Sequence, residues 1–362
     1  MRYKVCMLII SFLFIFHEYA LGKEKSIYIN ARTAVAIDGE SGVVLYEKNP
    51  HESVPMASTT KIITALTAIN RGKLDDYVTI SRKATAVRGS TVGYNAGEKV
   101  TLRELLYGLL YKSGNDAALA IAEHIGGTPE IFYSYMNECG KNIGLINSSF
   151  NSPHGLDTEN HYSSAYDLAL ATRTAMRNEV FREIVGTKEI KKEKYGFTRD
   201  YYNINKILSI IPEANGVKTG YTGKAGKCLV SSMRFHGRDI IIVVLNSPDR
   251  WNQTAKIFDY VKENYETCQY ESLNIPEKHD LMKFNLLTED KLSVEVPKEG
   301  TETKICLINP QYNILKGDYI GYIQILRKNT DQELYRKNLF SNKNISKKSF
   351  NKIINQSKLL NE

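Results

Sequence analysis

The chain has little that could hold it together covalently or around a metal. Five cysteines occur in 362 residues, and no two form a C-x-x-C pair. The seven histidines show no H-x-x-H or H-E-x-x-H spacing, so no metal site and no cofactor is indicated. No internal repeat appears, which excludes solenoid architectures. After the first residues, no apolar run approaches transmembrane length. Charge of one sign is also scarce. The formal net charge is +8, and residues 341–362, with five lysines and one glutamate, supply +4 of it. The body is only mildly basic, which excludes a dedicated nucleic-acid surface and suits an anionic envelope or membrane surface.

What is present begins with a leader. Arg2 and Lys4 precede an apolar stretch from Val5 to Phe16, and Ala20-Leu21-Gly22 offers small residues where a signal peptidase reads. Residues 1–22 are therefore expected to be a secretory signal, and the protein to be exported. The remaining 42% hydrophobic chain is long enough for one large domain and something smaller. Cys139, Cys228, Cys268 and Cys306 are expected to be mostly buried free thiols, because a chain of this size does not need disulfides.

Periodicity divides the chain further. "TAVAIDGESGVVLYEKN", Thr33 to Asn49, reads as a β-hairpin around a glycine-rich turn. After Pro55, Ile62, Ile63, Leu66 and Ile69 share one helical face, closed by Gly72. Thr101 and Glu104 suggest a capping box before a leucine-rich helix. Ser113-Gly114-Asn115 then bends the chain into an alanine-rich helix that ends at Gly126-Gly127. Another helix is expected from Ser163 or Ser164. Three strand candidates follow from Gly216, and a helix spans Asn252 to Tyr265. Strands, a helical block, then strands and a helix imply an α+β fold, with helices packed on an antiparallel sheet. This domain covers residues 23–272. A small all-β domain is expected over 273–340. The tail, 341–362, reads either as an interfacial membrane helix carrying Phe350, Ile353, Ile354 and Leu360 or as a solvated end.

Three short motifs could carry chemistry. Ser58 and Lys61 form S-x-x-K at the start of the first helix. There, backbone N–H groups and the helix dipole favour a developing negative charge, and a lysine three residues on can reach the serine hydroxyl. A serine becomes a useful nucleophile when a neutral amine can take its proton. The plainer reading is an N-cap. A second S-x-x-K, Ser349 and Lys352, lies in the polar tail with nothing around it. Ser113 and Asn115 form S-x-N at the helix bend, where Ser, Gly and Asn are also ordinary turn residues. Lys218-Thr219-Gly220 lies on a strand, and its glycine would let a substrate backbone approach the edge.

In this order, the three motifs resemble those of the serine penicillin-recognising enzymes. "STTKI", "YGLLYKSGNDAA", "SPHGLD", "SSAYDLA" and "GVKTGYTGKAG" are similar to the D-alanyl-D-alanine carboxypeptidases, the low-molecular-mass penicillin-binding proteins, over roughly residues 27–270. The resemblance implies a β-lactamase/transpeptidase-like domain that acts on peptidoglycan stem peptides and is acylated by β-lactams. By resemblance Ser58 is the nucleophile, Lys61 its base, and Ser113 and Asn115 assist proton transfer and positioning. Lys218, Thr219 and Gly220 belong to substrate binding, and Tyr221 would lend an oxyanion-hole N–H beside that of Ser58. Arg250, in "SPDRW", is the candidate for an arginine near the substrate carboxylate. His154, in "SPHGLD", is read as structural.

Three alternatives use the same residues differently. A class A β-lactamase needs a deacylating glutamate in an E-x-x-L-N-like run, and only Glu138 to Asn142 approaches that spacing. An endopeptidase or transpeptidase would share the acyl-enzyme. A non-enzymatic cell-wall binding protein should have lost one of the essential side chains, and all are present.

Overall fold

The computed structural model describes residues 27–270, 292–341 and 343–358. The leader and the boundary placed at 272/273 lie outside the described residues.

The expected hairpin is β1 (Thr33–Asp38) and β2 (Val44–Lys48). A helical block follows. A 3-10 turn, Ala57–Thr60, runs into α1 (Lys61–Arg71). The short pair β3 (Tyr77–Thr79) and β4 (Lys99–Thr101) flanks α2 (Arg82–Thr85). Next come α3 (Leu102–Tyr111), α4 (Asn115–Gly126), α5 (Pro129–Ile143), α6 (Ala165–Met176) and α7 (Glu179–Gly186). The pair β5 (Glu189–Ile190) and β6 (Tyr201–Tyr202) and helix α8 (Ile207–Ile210) lead back to the sheet. There β7 (Ala214–Thr222), β8 (Gly226–Phe235) and β9 (Arg238–Leu245) are followed by α9 (Arg250–Asn264).

The sheet has the order β2-β1-β9-β8-β7, with every pairing antiparallel. Strand alternation sorts its two faces. In β9, Ile241, Val243 and Leu245 join the core shared with the helical block, whereas Ile240, Ile242 and Val244 pack with α8 and α9. Both faces are covered, so β9 is buried along its whole length. β7 is an edge strand, and its outer side faces the 3-10 turn that carries Ser58.

The capping box at Thr101 forms only by half. Thr101 Oγ1 accepts from the Glu104 N–H at 3.1 Å. The Glu104 carboxylate instead turns inward, accepting from the Thr198 backbone and hydroxyl and from Tyr201 Oη. A buried carboxylate is better satisfied by several donors than by one exposed N–H.

Beyond α9, β10 (Tyr265–Tyr270) pairs with β11 (Leu292–Pro297), so strand pairing of the second region reaches back to Tyr265. β12 (Thr301–Leu307), β13 (Tyr319–Arg327) and β14 (Glu333–Phe340) form a three-stranded sheet. The tail forms a helix, α10 (Lys347–Lys358). Its Phe350 and Ile354 are buried with Ile314, Ile320, Ile323, Leu339 and Ile345. The solvated-end reading is thus corrected for this segment, and its apolar stripe faces protein rather than lipid. Leu360 lies outside the described residues. Phe350→Ala should cost about 3–5 kcal/mol locally, as an emptied core phenyl site does. Faster hydrogen exchange over residues 301–340 would report it, with exchange in the larger sheet unchanged.

The cysteines also need a correction. Cys228 is buried, but Cys139, Cys268 and Cys306 are half-buried, and all four are free.

Candidate active site

Ser58 sits in the 3-10 turn, not at a helix cap. The N-cap position of α1 is Thr60, and no side chain caps it. The residue before the serine, Ala57, has φ +51°, a left-handed conformation that costs a side-chain-bearing residue energy. Two neighbours impose it. Gly155 leaves no room for a Cβ, which would lie 2.0 Å from the Ala57 carbonyl oxygen. Thr60 Oγ1 donates to that same carbonyl at 2.8 Å. Thr60 Oγ1 in turn meets His161 Nε2 at 2.9 Å, and His161 Nδ1 accepts from the Asn151 N–H at 3.1 Å. The Nδ1 acceptor role assigns the ring proton to Nε2.

Lys61 is the first residue of α1 and is wholly buried. Its Nζ lies 2.9 Å from Ser58 Oγ, 2.8 Å from Asn115 Oδ1 and 2.6 Å from the His154 carbonyl oxygen. Burial pushes the amine well below the ordinary lysine range; the positive charge of Lys218 adds to this, and Asp116 opposes it. A neutral amine is then available, and the 2.9 Å contact can carry the serine proton toward Nζ.

Asn115 opens α4. Its Nδ2 donates to the Arg88 carbonyl at 2.6 Å, which fixes the amide so that Oδ1 faces Lys61. Asp116 holds the loop over this region by accepting from the Val92, Gly93 and Tyr94 N–H groups. Ser113 is 5% exposed and has φ +58°, as the sharp bend between α3 and α4 demands. Its hydroxyl bonds neither Ser58 nor Lys61 directly.

β7 closes the other side. A Cβ at Gly220 would lie 3.0 Å from Ala57 Cβ and 3.1 Å from Ser58 N, so glycine lets the strand pass against the nucleophile turn. Lys218 is 1% exposed, unlike an ordinary strand lysine, and its Nζ donates to the Thr219 carbonyl at 2.9 Å. Burial, and next Arg250, bring its pKa down to about 7. Arg250 donates to the carbonyls of Gly220 at 2.7 Å and Cys228 at 3.1 Å. Carbonyls orient the guanidinium without cancelling its charge. Thr219 is buried, and Tyr221 is 67% exposed. Lys61, Lys218 and Arg250 thus gather where Asp116 is the carboxylate that acts on them, an environment suited to an anionic group.

The family profile of D-alanyl-D-alanine carboxypeptidases, peptidase family S11, matches residues 21–249. The chain belongs to this family. It is 39% identical over 246 residues to the carboxypeptidase DacF of Bacillus subtilis, covering 66% of this chain and 63% of that protein's length. It is 31% identical to DacC of Escherichia coli, covering 86% of this chain and 85% of that one. Penicillin-binding protein 5 of Haemophilus influenzae superposes with a TM-score of 0.74 at 25% identity, covering 89% of this chain and 99% of that one.

As a family member, the chain is a serine peptidase, and its class A β-lactamase reading loses its one support. Glu138 lies on α5 and pairs with Arg71 at 2.7 Å. Arg71 ends α1, ten residues from Lys61 and about 15 Å along the helix.

Sequence reasoning did not find His161 or Thr60, nor the role of the His154 carbonyl. The His154 ring turns to Ser152 Oγ at 2.9 Å, while its carbonyl oxygen meets Lys61. Burial holds His154 down at about 3 and His161 at about 4, so neither ring titrates near neutrality. A pH limb in this carboxypeptidase should therefore belong to the lysines. Lys218→Met removes a positive neighbour that helps keep Lys61 neutral. The Lys61 pKa then rises, and the ascending limb of penicillin acylation against pH moves to higher pH. An unmoved limb would dissociate the two lysines.

Proposed function

We propose that this chain is a serine D-Ala-D-Ala carboxypeptidase, which removes the terminal D-alanine from peptidoglycan stem peptides through an acyl-enzyme on Ser58. The observation that carries it is the buried Lys61 amine, 2.9 Å from Ser58 Oγ and held by Asn115. Ser58 Oγ attacks the carbonyl between the two D-alanines, and Lys61 takes its proton. The oxyanion is received by the N–H groups of Ser58 and Tyr221. As the peptide C–N bond breaks, the proton passes to the departing amine, with Ser113 as relay. Water then hydrolyses the ester. Lys218, Thr219 and Arg250 bind the substrate's terminal carboxylate, and Gly220 allows its backbone to lie along the edge of β7. β-lactams imitate the same carbonyl and stay on Ser58.

Export after cleavage of residues 1–22 would bring the site to its substrate. Any hold of the tail on a membrane surface would rest on Lys347, Lys348 and Lys352, because Phe350 and Ile354 face the sheet.

The test is D-alanine release from a pentapeptide ending in D-Ala-D-Ala, for the wild type and Ser58→Ala. Release by the wild type alone is expected. Rapid penicillin turnover without D-alanine release would favour a β-lactamase instead.

A further inference from the structure

A second charged cleft lies away from Ser58. It has a volume of about 230 Å³ and is lined by Arg173, Arg177, Arg182 and Arg234, with Glu40 and Asp239. It opens at the far end of the sheet. Lys218 pairs with Val230 on β8, and Arg234 is four residues further along, about 13 Å.

Three of the arginines are anchored by backbone carbonyls. Arg173 donates to the Gly39 carbonyl at 3.1 Å and also to that of Glu40. Arg182 donates to the Met176 carbonyl at 2.9 Å, and Arg234 to the Gly237 carbonyl at 2.8 Å. Carbonyls aim a guanidinium but leave its charge in place. The carboxylates available do not balance four cations. Glu40 pairs with Arg238 at 2.7 Å, outside the cleft's four. Asp239 is shared at 3.8 Å with Arg182 and 3.5 Å with Arg234. Arg177 is exposed and has no ion pair among the described residues. After burial, the charge of Arg177 is the next influence that lowers the pKa of Arg173, as expected of crowded like charges.

We propose that this cleft binds a phosphoryl group, held by the guanidiniums of Arg173, Arg177, Arg182 and Arg234. A single carboxylate needs one guanidinium fork. Several oriented guanidiniums around a small cavity match a tetrahedral, multiply charged group better. The site is separate from the peptidase reading, and a bound anion there leaves Ser58 open.

The test is calorimetric titration of the full mature chain with inorganic phosphate, pyrophosphate and a glycerol phosphodiester polymer. Saturable, salt-sensitive binding is expected. The Arg177→Glu/Arg234→Glu variant should bind at least about tenfold more weakly, with penicillin acylation within about twofold of wild type. Arg177→Ala alone, at an exposed unpaired side chain, gives a milder loss if the double variant fails to fold. Binding of the small anions but not the polymer assigns the site to free phosphates, and the reverse assigns it to a phosphodiester chain. No saturable binding of any probe, or equal binding by wild type and variants, overturns the proposal.

Discussion

Lys61→Met should lower the rate of acylation by penicillin and by D-Ala-D-Ala peptides about 10²–10⁴-fold, the usual contribution of a positioned general base. Methionine fills much of the same buried volume and cannot accept the proton. Non-covalent binding should change little, because Lys218, Thr219 and Arg250 remain. The loss therefore falls on the acylation step. Stability should move the other way or not at all. The folded chain holds Lys61 well below its ordinary pKa, so at neutral pH the unfolded chain binds the extra proton more readily. Stability rises with pH across the interval between the two values, and Lys61 opposes folding below it. Methionine removes that opposition, so an unchanged or higher Tm is expected beside an inactive site. Stopped-flow acylation and a thermal melt on one sample give both quantities. A variant acylated at the wild-type rate would remove Lys61 from the base role.

Gly155→Ala should damage stability and chemistry together. The position has φ +86°, and its Cβ would lie 2.0 Å from the Ala57 carbonyl oxygen and 2.8 Å from Thr60 Oγ1. The left-handed backbone alone costs roughly 1–3 kcal/mol for a residue with a side chain. The clash must then displace the Ser58 turn or the 152–157 loop. Because a misplacement of about 1 Å can cost a hundredfold in rate, acylation should fall by about that factor. A denaturant midpoint shift paired with slower acylation would bear this out. A loss of stability alone would mean that the loop, and not the nucleophile turn, gives way.

The residues that announce themselves do so by type and spacing. The hairpin at Thr33–Asn49 alternates visibly, and α1 carries its apolar positions at helical intervals. The bend at Ser113 and the strand at Lys218 were legible because a glycine stands where the backbone must turn or pass closely. The order of the three motifs carried the family. What stayed hidden is geometry with no side-chain signature. The His154 carbonyl anchors Lys61, yet any residue has a carbonyl. The strained φ of Ala57 is imposed by Gly155, distant in sequence. His161 acts through Thr60, and nothing in its spacing points there. Glu104 looked like a capping residue because its spacing fits one, but buried donors on the 198–201 segment compete more strongly. The tail's stripe suited a lipid surface and a protein surface equally, and only the fold decides that Phe350 meets Ile320 and Leu339.

The central claim is that Ser58 carries the acyl group and Lys61 activates it. Its most direct test is intact-mass spectrometry of the mature chain after penicillin, with peptide mapping of the adduct, for wild type, Ser58→Ala and Lys61→Met. The account predicts one penicilloyl group on wild type, mapped to the peptide containing Ser58, none on Ser58→Ala, and slow accumulation on Lys61→Met. An adduct on another residue, or an undiminished adduct on Ser58→Ala, would contradict it.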